Sequence, residues 1–197
     1  MLIGAKKKIV LLGMMTRIPV AGAVWGAMQY LIGFQRLGYD VYFVEAHART
    51  PSMLMEHEDD DSSALAAAFI DRVMRRFDLG DKWAFHALHD DGRCYGMSES
   101  QLQELYRSAD LLINFHGGTV PRPEHSATGR LMYLETDPVQ LEIELFHNDP
   151  EAIAFLDKRP TDKPFMLYVA FSSPHDPRTP PGKFATMYDP AKLPLPK

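Results

Sequence analysis

Residues 8–45 constrain the fold more than any other stretch, because they carry the pattern of a strand, a helix and a second strand. An apolar run at residues 9–14 is followed by a loop and by a helical stretch, whose apolar residues recur roughly every 3.6 positions. Gly38 ends that helix, at a position that favours positive φ, and a second apolar run occupies residues 41–44. A βαβ unit of this kind predicts two parallel strands in one sheet.

Strand-like and helix-like segments go on alternating as far as residue 157. Further strands are predicted at residues 83–88, 111–115 and 131–134. Further helices are predicted at residues 62–77, 98–107, 138–146 and 150–157. In the first of these helices, one face is predicted to carry Leu65, Phe69, Val73 and Phe77. The alternation predicts an α/β fold over residues 8–157, with a Rossmann-like parallel sheet and helices on both faces.

Two helix starts have clear local signals. The acidic residues 58–61 place negative charge before the helix at residue 62. Consecutive carboxylates point in different directions, which disfavours a metal site there. Ser98 and Gln101 fit a capping box, in which each side chain bonds the other residue's backbone N–H. We expect neither a metal ion nor a cofactor.

The loop at residues 14–22 follows the first strand, and ligands of parallel α/β sheets bind at the carboxyl ends of the strands. Arg17 is a candidate for holding an anionic group, although a solvated loop arginine fits the sequence equally well. Gly22 and Gly26 open the helix either for a ligand or for close packing, and the sequence favours packing. The spacing GxGxxG is missing, so the dinucleotide fingerprint is absent.

The triplet His116, Gly117 and Gly118 directly follows a predicted strand. Two glycines allow a ligand to approach the backbone, and a histidine at this position suits contact with a sugar or a phosphate. The alternative is a tight turn with a surface histidine. We include the triplet among the candidate ligand-binding residues because of its place at a strand end.

Glu135 and Asp137 flank Thr136 at the end of another predicted strand. Their carboxylates suit binding of sugar hydroxyls or a role as a base. The alternative, which we favour slightly, is that Thr136 or Asp137 caps the following helix.

Charge and cysteine content narrow the classes of function. The formal net charge is −5 with acids and bases mixed along the chain, so no nucleic-acid or membrane surface is indicated. The single cysteine, Cys94, has no base that the sequence identifies and cannot form an internal disulfide. Together with the lack of any apolar run of roughly 20 residues, this predicts a cytoplasmic protein without a membrane span.

The first 23 residues superficially resemble a signal peptide, with three lysines, an apolar run and Ala-Gly-Ala. Arg17 and Pro19 interrupt that run, however, and the βαβ pattern also explains the residues that follow. We therefore favour the βαβ interpretation.

Residues 8–156 resemble the N-terminal half of a GT-B glycosyltransferase. The resemblance rests on KIVLLGMM, FQRLGYDVYFVEA, SADLLINFHGG and RLMYLETDPVQ. In that family two Rossmann-like domains face each other, the N-terminal one mainly binding the acceptor and the C-terminal one the nucleotide-sugar donor. The resemblance implies that the ligand-facing positions are the 14–22 loop, residues 116–118 and residues 135–137. The donor-binding half is missing.

Residues 153–197 resemble an internal fragment of a sulfatase, through DKPFMLYVAFSSPHDPRTPPGKFATMYDP. In that family the histidine of this motif contacts the sulfate of the substrate, which implies that role for His175. The family's Cys/Ser-x-Pro-x-Arg nucleophile motif is absent, since Cys94 is followed by Tyr-Gly-Met-Ser. A working sulfatase is therefore not expected. The calcium-binding aspartate clusters of that family are not found in their expected context either.

The sequence thus resembles a chimera, with a glycosyltransferase-like domain at residues 8–157 and a proline-rich, sulfatase-like fragment at residues 158–197 that contains one strand. Three hypotheses follow: an acceptor-side glycosyltransferase domain that is inactive alone, a sulfatase-family fragment without nucleophile or metal, and a non-catalytic binding module. The expected partner is a sugar or glycan acceptor, with a nucleotide-sugar donor only in an intact parent.

Overall fold

Seven strands and three α-helices are formed by residues 6–46, 49–135 and 167–169, the part of the chain that the computed structural model describes. The strands are β1 (Lys8–Leu12), β2 (Asp40–Glu45), β3 (Trp83–His86), β4 (Cys94–Tyr95), β5 (Leu111–Phe115), β6 (Leu131–Glu135) and β7 (Leu167–Val169). The α-helices are α1 (Ala21–Arg36), α2 (Ser62–Arg75) and α3 (Glu99–Ser108). Two 3-10 helices cover Ser52–Leu54 and Pro123–Thr128.

The strands form one sheet in the order β4-β3-β2-β1-β5-β6-β7. Every neighbouring pair is parallel except β3 with β4, which is antiparallel. From β1 the chain moves outward through β2 and β3, and then returns to the other side of β1 for β5, β6 and β7. The predicted α/β class and the mostly parallel sheet are confirmed. The antiparallel β4 lies between the predicted strand at residues 83–88 and the predicted helix at residues 98–107, where the sequence analysis predicted no strand.

Apolar side chains are buried on both faces of the sheet. In β1, Ile9 and Leu11 join a core cluster that includes residues of α1 and α2, whereas Val10 and Leu12 join a cluster that includes residues of α3. Alternate side chains of a strand point to opposite faces, so the two clusters lie on opposite sides of the sheet. Full burial of a single side chain of this size stabilises the fold by roughly 1.5–3 kcal/mol.

Local signals set the ends of the helices, and the stop at Gly38, the start of α2 at Ser62 and the capping box at Ser98 were predicted. Gly38 has a φ of 92° directly after α1, which is the left-handed conformation that ends many helices. Asp61 caps α2 by accepting a hydrogen bond from the Ala64 backbone N–H at 2.9 Å. Ser98 and Gln101 form the capping box of α3.

The buried face of α2 differs from the predicted one. Ala66, Ile70 and Met74 are buried, whereas Leu65 is 36% exposed and Phe69 is only partly buried. The two rows lie one residue apart, or about 100° around the helix. Small alanines let the helix approach the sheet closely, and the larger side chains of the predicted row pack at the border instead.

The sheet continues beyond β6. β7 pairs with β6 in parallel, with Tyr133 opposite Leu167. Residues 167–169 therefore add a strand next to β6 within the described part of the chain, a point that the sequence left open. The helices predicted at residues 138–146 and 150–157, and most of residues 158–197, lie outside the described residues. Among those described, no helix has the length and apolar character needed to cross a membrane.

Candidate functional site

The carboxyl ends of β1 and β5 lie side by side where the strand order reverses, and the loops that follow them touch through their backbones. A Cβ added to Gly118 would lie 2.8 Å from the carbonyl carbon of Gly13 and 2.9 Å from its oxygen. A Cβ on Gly13 would collide with the Phe43 ring. Only glycine fits at these two positions, so the sequence brings two stretches of bare backbone together at the edge where α/β sheets bind ligands.

The turn after β5 holds two successive residues in the left-handed region. His116 has a φ of 55° and Gly117 a φ of 63°. This conformation is unusual for histidine and costs of order 1–2 kcal/mol. The backbone N–H of His116 donates to Leu134 at 2.9 Å, and its ring lies 4.0 Å from that of Phe115, centroid to centroid. The half-buried imidazole is therefore presented from a fixed, strained turn.

Asn114 holds the same turn in place through two hydrogen bonds to Thr119. Its side-chain Nδ2 donates to the Thr119 carbonyl at 2.7 Å, and the Thr119 N–H donates back to Oδ1 at 3.3 Å. Both residues are buried. The sequence analysis did not single out Asn114, although it is a polar residue inside an otherwise apolar strand, which is a usable signal.

Glu45 fastens the loop after β1. This fully buried carboxylate ends β2 and accepts from the backbone N–H of Thr16 at 3.1 and 3.2 Å, and from the Thr16 hydroxyl. Dinucleotide-binding folds use an acidic residue near this position to bind a ribose hydroxyl. Here the acidic side chain lies inside the protein and holds the loop, because a buried polar group needs hydrogen-bond partners. Sequence analysis missed this pair as well.

Arg122 ties the segment after the β5 turn to the end of β2. Its Nη1 donates to the Ala46 carbonyl at 3.1 Å, and its Nε donates to Glu124. The Arg122 backbone N–H donates to His125 Nδ1 at 3.1 Å, and the His125 ring lies edge-on to the Tyr106 ring of α3. Burial, followed by the charge of Arg122, lowers the pKa of His125 to about 4. This histidine is therefore neutral and structural.

The predicted site residues divide into two groups. Arg17, Gly22 and residues 116–118 all lie in the described loops or first helical turn at the carboxyl edge. Glu135 is the last residue of β6, so its backbone also ends at this edge. Asp137 and His175 lie outside the described residues.

The glycine positions of α1 require one correction. A Cβ on Gly22 would meet no atom of the described residues within 4 Å, and one on Gly26 would make ordinary contact with Phe115 at 3.6 Å. Packing therefore does not require glycine at either position, contrary to the interpretation that the sequence favoured. The close backbone approach occurs at Gly13 and Gly118 instead.

A groove of about 460 Å³ lies at the opposite, amino edge of the sheet. Its lining includes Lys8, Tyr42, Lys82, Gln101 and Ser108. Its charged groups are largely satisfied, since Lys82 Nζ pairs with Asp40 at 3.2 Å and Lys8 Nζ donates to Ser108 at 3.0 Å. Strained backbone and a close glycine contact also occur at the amino edge, since Asp78 has a φ of 58° and a Cβ on Gly96 would lie 2.6 Å from the Trp83 carbonyl oxygen. We place the candidate site at the carboxyl edge because the strand order reverses there, which is where ligands of such sheets bind.

No cluster of three or more His, Cys, Asp or Glu side chains suited to a metal ion is found within residues 6–46 and 49–135. Comparison of the chain with protein families, with curated proteins and with solved structures finds no match.

Proposed function

We propose that residues 8–157 form a Rossmann-like, acceptor-side domain of the GT-B glycosyltransferase type, with its ligand between the carboxyl ends of β1 and β5. The observation that carries the proposal is the reversal of strand order at β1, with the backbones of Gly13 and Gly118 in contact beside it. The six parallel strands follow the order of dinucleotide-binding and related doubly wound sheets, whose ligands bind at this reversal.

The chemistry of the edge suits a sugar. Sugar hydroxyls are bound by backbone groups and by neutral or charged polar side chains placed at a few points of a concave surface. The exposed backbone of Gly117 and the half-buried imidazole of His116 are such groups. The buried pairing of Glu45 with Thr16 disfavours the competing dinucleotide function, because it occupies the acidic group near the end of β2.

In an intact parent, the donor-binding half would supply the groups that stabilise the leaving diphosphate as charge develops on it. This chain shows the resemblance to the acceptor half only. We therefore propose that it binds an acceptor glycan and does not catalyse transfer alone. The non-catalytic binding module is thus the working description of this chain, and glycosyl transfer is the function of the proposed parent.

Calorimetry with a panel of neutral glycans and nucleotide-sugars, combined with a transfer assay, tests the proposal. We expect glycan binding without turnover. Sugar transfer by the purified chain would contradict the proposed division of labour, and the absence of glycan binding would contradict the proposed site. Hydrolysis of a sulfate ester would instead favour the sulfatase hypothesis, which rests on residues outside the described part of the chain.

The chimeric arrangement has its own test. Single-molecule reads of the source DNA or transcript across codons 145–170 are expected to pass without interruption from one half to the other. If they do not, the two halves belong to separate genes and their functions must be assigned separately.

A further inference from the structure

Tyr133 connects strand β6 to the candidate site. It lies directly opposite Asn114 of β5, the residue that holds the turn after β5 in place. Residues that lie opposite each other on neighbouring strands place their side chains on the same face of the sheet. The tyrosine and Asn114 therefore stand side by side, next to the turn that carries His116 and Gly117.

The ring of Tyr133 extends along the strand as far as that turn. A Cβ added to Gly117 would lie 3.3 Å from the Tyr133 hydroxyl oxygen and 3.4 Å from its ring carbon Cε2. Gly117 is exposed with a φ of 63°, and Tyr133 is half-buried. The positive φ and the nearby phenol both favour glycine at position 117, which keeps bare backbone beside the ring at the carboxyl edge.

The groups that meet at this point suit a cyclic sugar. They are the phenol of Tyr133, the backbone of Gly117 and the half-buried imidazole of His116. A pyranose carries hydroxyls around its rim and apolar C–H groups on its faces. An aromatic ring covers apolar surface, and a tyrosine hydroxyl both donates and accepts hydrogen bonds. A phenol and a peptide group carry no charge at neutral pH, so this pair favours an uncharged ligand.

We infer that Tyr133 contacts the ligand and selects for an uncharged cyclic sugar. Its ring covers a C–H face of a pyranose, and its hydroxyl forms a hydrogen bond with one of the sugar hydroxyls. The inference rests on the proposed function, since it assumes that a glycan lies at this edge. It adds a residue that the sequence analysis did not identify as part of the site.

NMR titrations of the whole chain test the inference. The probes are glucose, galactose, mannose and sorbitol, an open-chain polyol that offers hydroxyls without a ring face. The signals are the backbone amides of residues 116–118 and the aromatic C–H groups of Tyr133. The variants are Tyr133→Phe, which removes only the hydroxyl, and Tyr133→Leu, which also removes the ring.

Tyr42→Phe is the matched control. Tyr42 is also a half-buried tyrosine in the middle of a parallel strand, but its hydroxyl donates to Asp40 at 2.9 Å at the amino edge. The control therefore removes the same hydroxyl from the opposite edge of the sheet. Circular dichroism of each variant establishes that the altered chains are folded before affinities are compared.

We expect at least one of the three sugars to shift the Tyr133 ring signals together with the amides of residues 116–118. Loss of one hydrogen bond should weaken the binding of that sugar about 5-fold in Tyr133→Phe. Tyr133→Leu should weaken it at least about 3-fold further, because the ring is lost as well. Tyr42→Phe should bind as the unaltered chain does. Sorbitol should bind the unaltered chain less tightly than the sugar.

Equal sugar affinity in Tyr133→Phe and the unaltered chain would overturn the inference, whatever the Leu variant shows, because a tyrosine that only packs against the turn does not need its hydroxyl. Sorbitol that binds as tightly as the sugars would also overturn it. In both cases sugar-induced shifts at residues 116–118 would leave the proposed function intact. If none of the three sugars binds at this edge, the proposed site fails together with the inference.

Discussion

The two edges of the sheet differ in how their polar groups are satisfied. At the amino edge, Lys82, Asp40 and Tyr42 form a closed set, in which the Tyr42 hydroxyl donates to Asp40 at 2.9 Å and accepts from Lys82 at 3.2 Å. At the carboxyl edge, His116 and Gly117 adopt left-handed backbone conformations beside two glycines in contact. A groove of about 460 Å³ lies at the amino edge, and left-handed backbone occurs at both edges, since Asp78 before β3 has a φ of 58°.

Neither a groove nor a single strained residue identifies the ligand site in a sheet of this kind. A groove forms wherever a helix and a strand diverge, and its charges can pair among themselves. Strained backbone persists only where the surroundings hold it in place, and such strain clusters at functional sites. The buried bonds of Asn114 and Glu45 provide that support at the carboxyl edge.

The largest expected effect is a loss of stability in acid that depends on a histidine near the carboxyl edge. His125 faces Arg122, Glu124 and Tyr106, and its pKa in the folded state is about 4, below the 6.5 of the unfolded chain. Its contribution to stability is therefore complete above pH 6.5 and is lost as the pH falls toward 4, at about 1.4 kcal/mol per unit. In urea unfolding, the His125→Asn variant should not show this loss of stability between pH 6.5 and pH 4. The difference between the two curves should reach about 3 kcal/mol, and parallel curves would contradict the account.

A second prediction compares two glycines near the carboxyl edge. Gly118→Ala should lower the free energy of unfolding by about 2–3 kcal/mol, because its Cβ would overlap the Gly13 backbone. Gly22→Ala is the matched control, and it should be neutral or stabilise by up to about 1 kcal/mol, since it adds a helix-favouring methyl in open space. Equal effects in chemical denaturation would refute the proposed contact between the loops.

A third prediction sets one edge directly against the other. Thr16→Val removes a hydroxyl donor from the buried Glu45 carboxylate and should cost about 2 kcal/mol. Lys82→Met removes a partly exposed ion pair at the amino edge and should cost less than about 1 kcal/mol. The comparison is made by thermal unfolding at neutral pH, and a larger loss for Lys82→Met would reverse our ranking of the two edges.

The sequence predicted what depends on near neighbours. The end of α1 at Gly38, the start of α2 at Ser62 and the Ser98 capping box all rest on contacts a few residues apart, and all are confirmed. Strand β4 was missed because two residues carry no periodic pattern, and its pairing with β3 is fixed only in the folded chain. The buried face of α2 was misplaced because both candidate rows are apolar.

The sequence predicted only part of the candidate site, again because some of its contacts join residues that are far apart in the chain. Its position at strand ends follows from the βαβ pattern, which identified residues 14–22 and 116–118. The bond between Thr16 and Glu45 spans 29 residues, and no local signal joins them. The backbone contact between Gly13 and Gly118 joins residues that are far apart in the sequence, and it likewise forms only in the folded chain.

The most direct test of the account is an NMR map of where a bound neutral oligosaccharide shifts backbone amide signals. Shifts at residues 116–118 and in the 14–22 loop are the predicted result, because the ligand should lie where the strand order reverses. Shifts confined to Lys82, Gln101 and Ser108 would place the ligand in the amino-edge groove and would contradict the central claim.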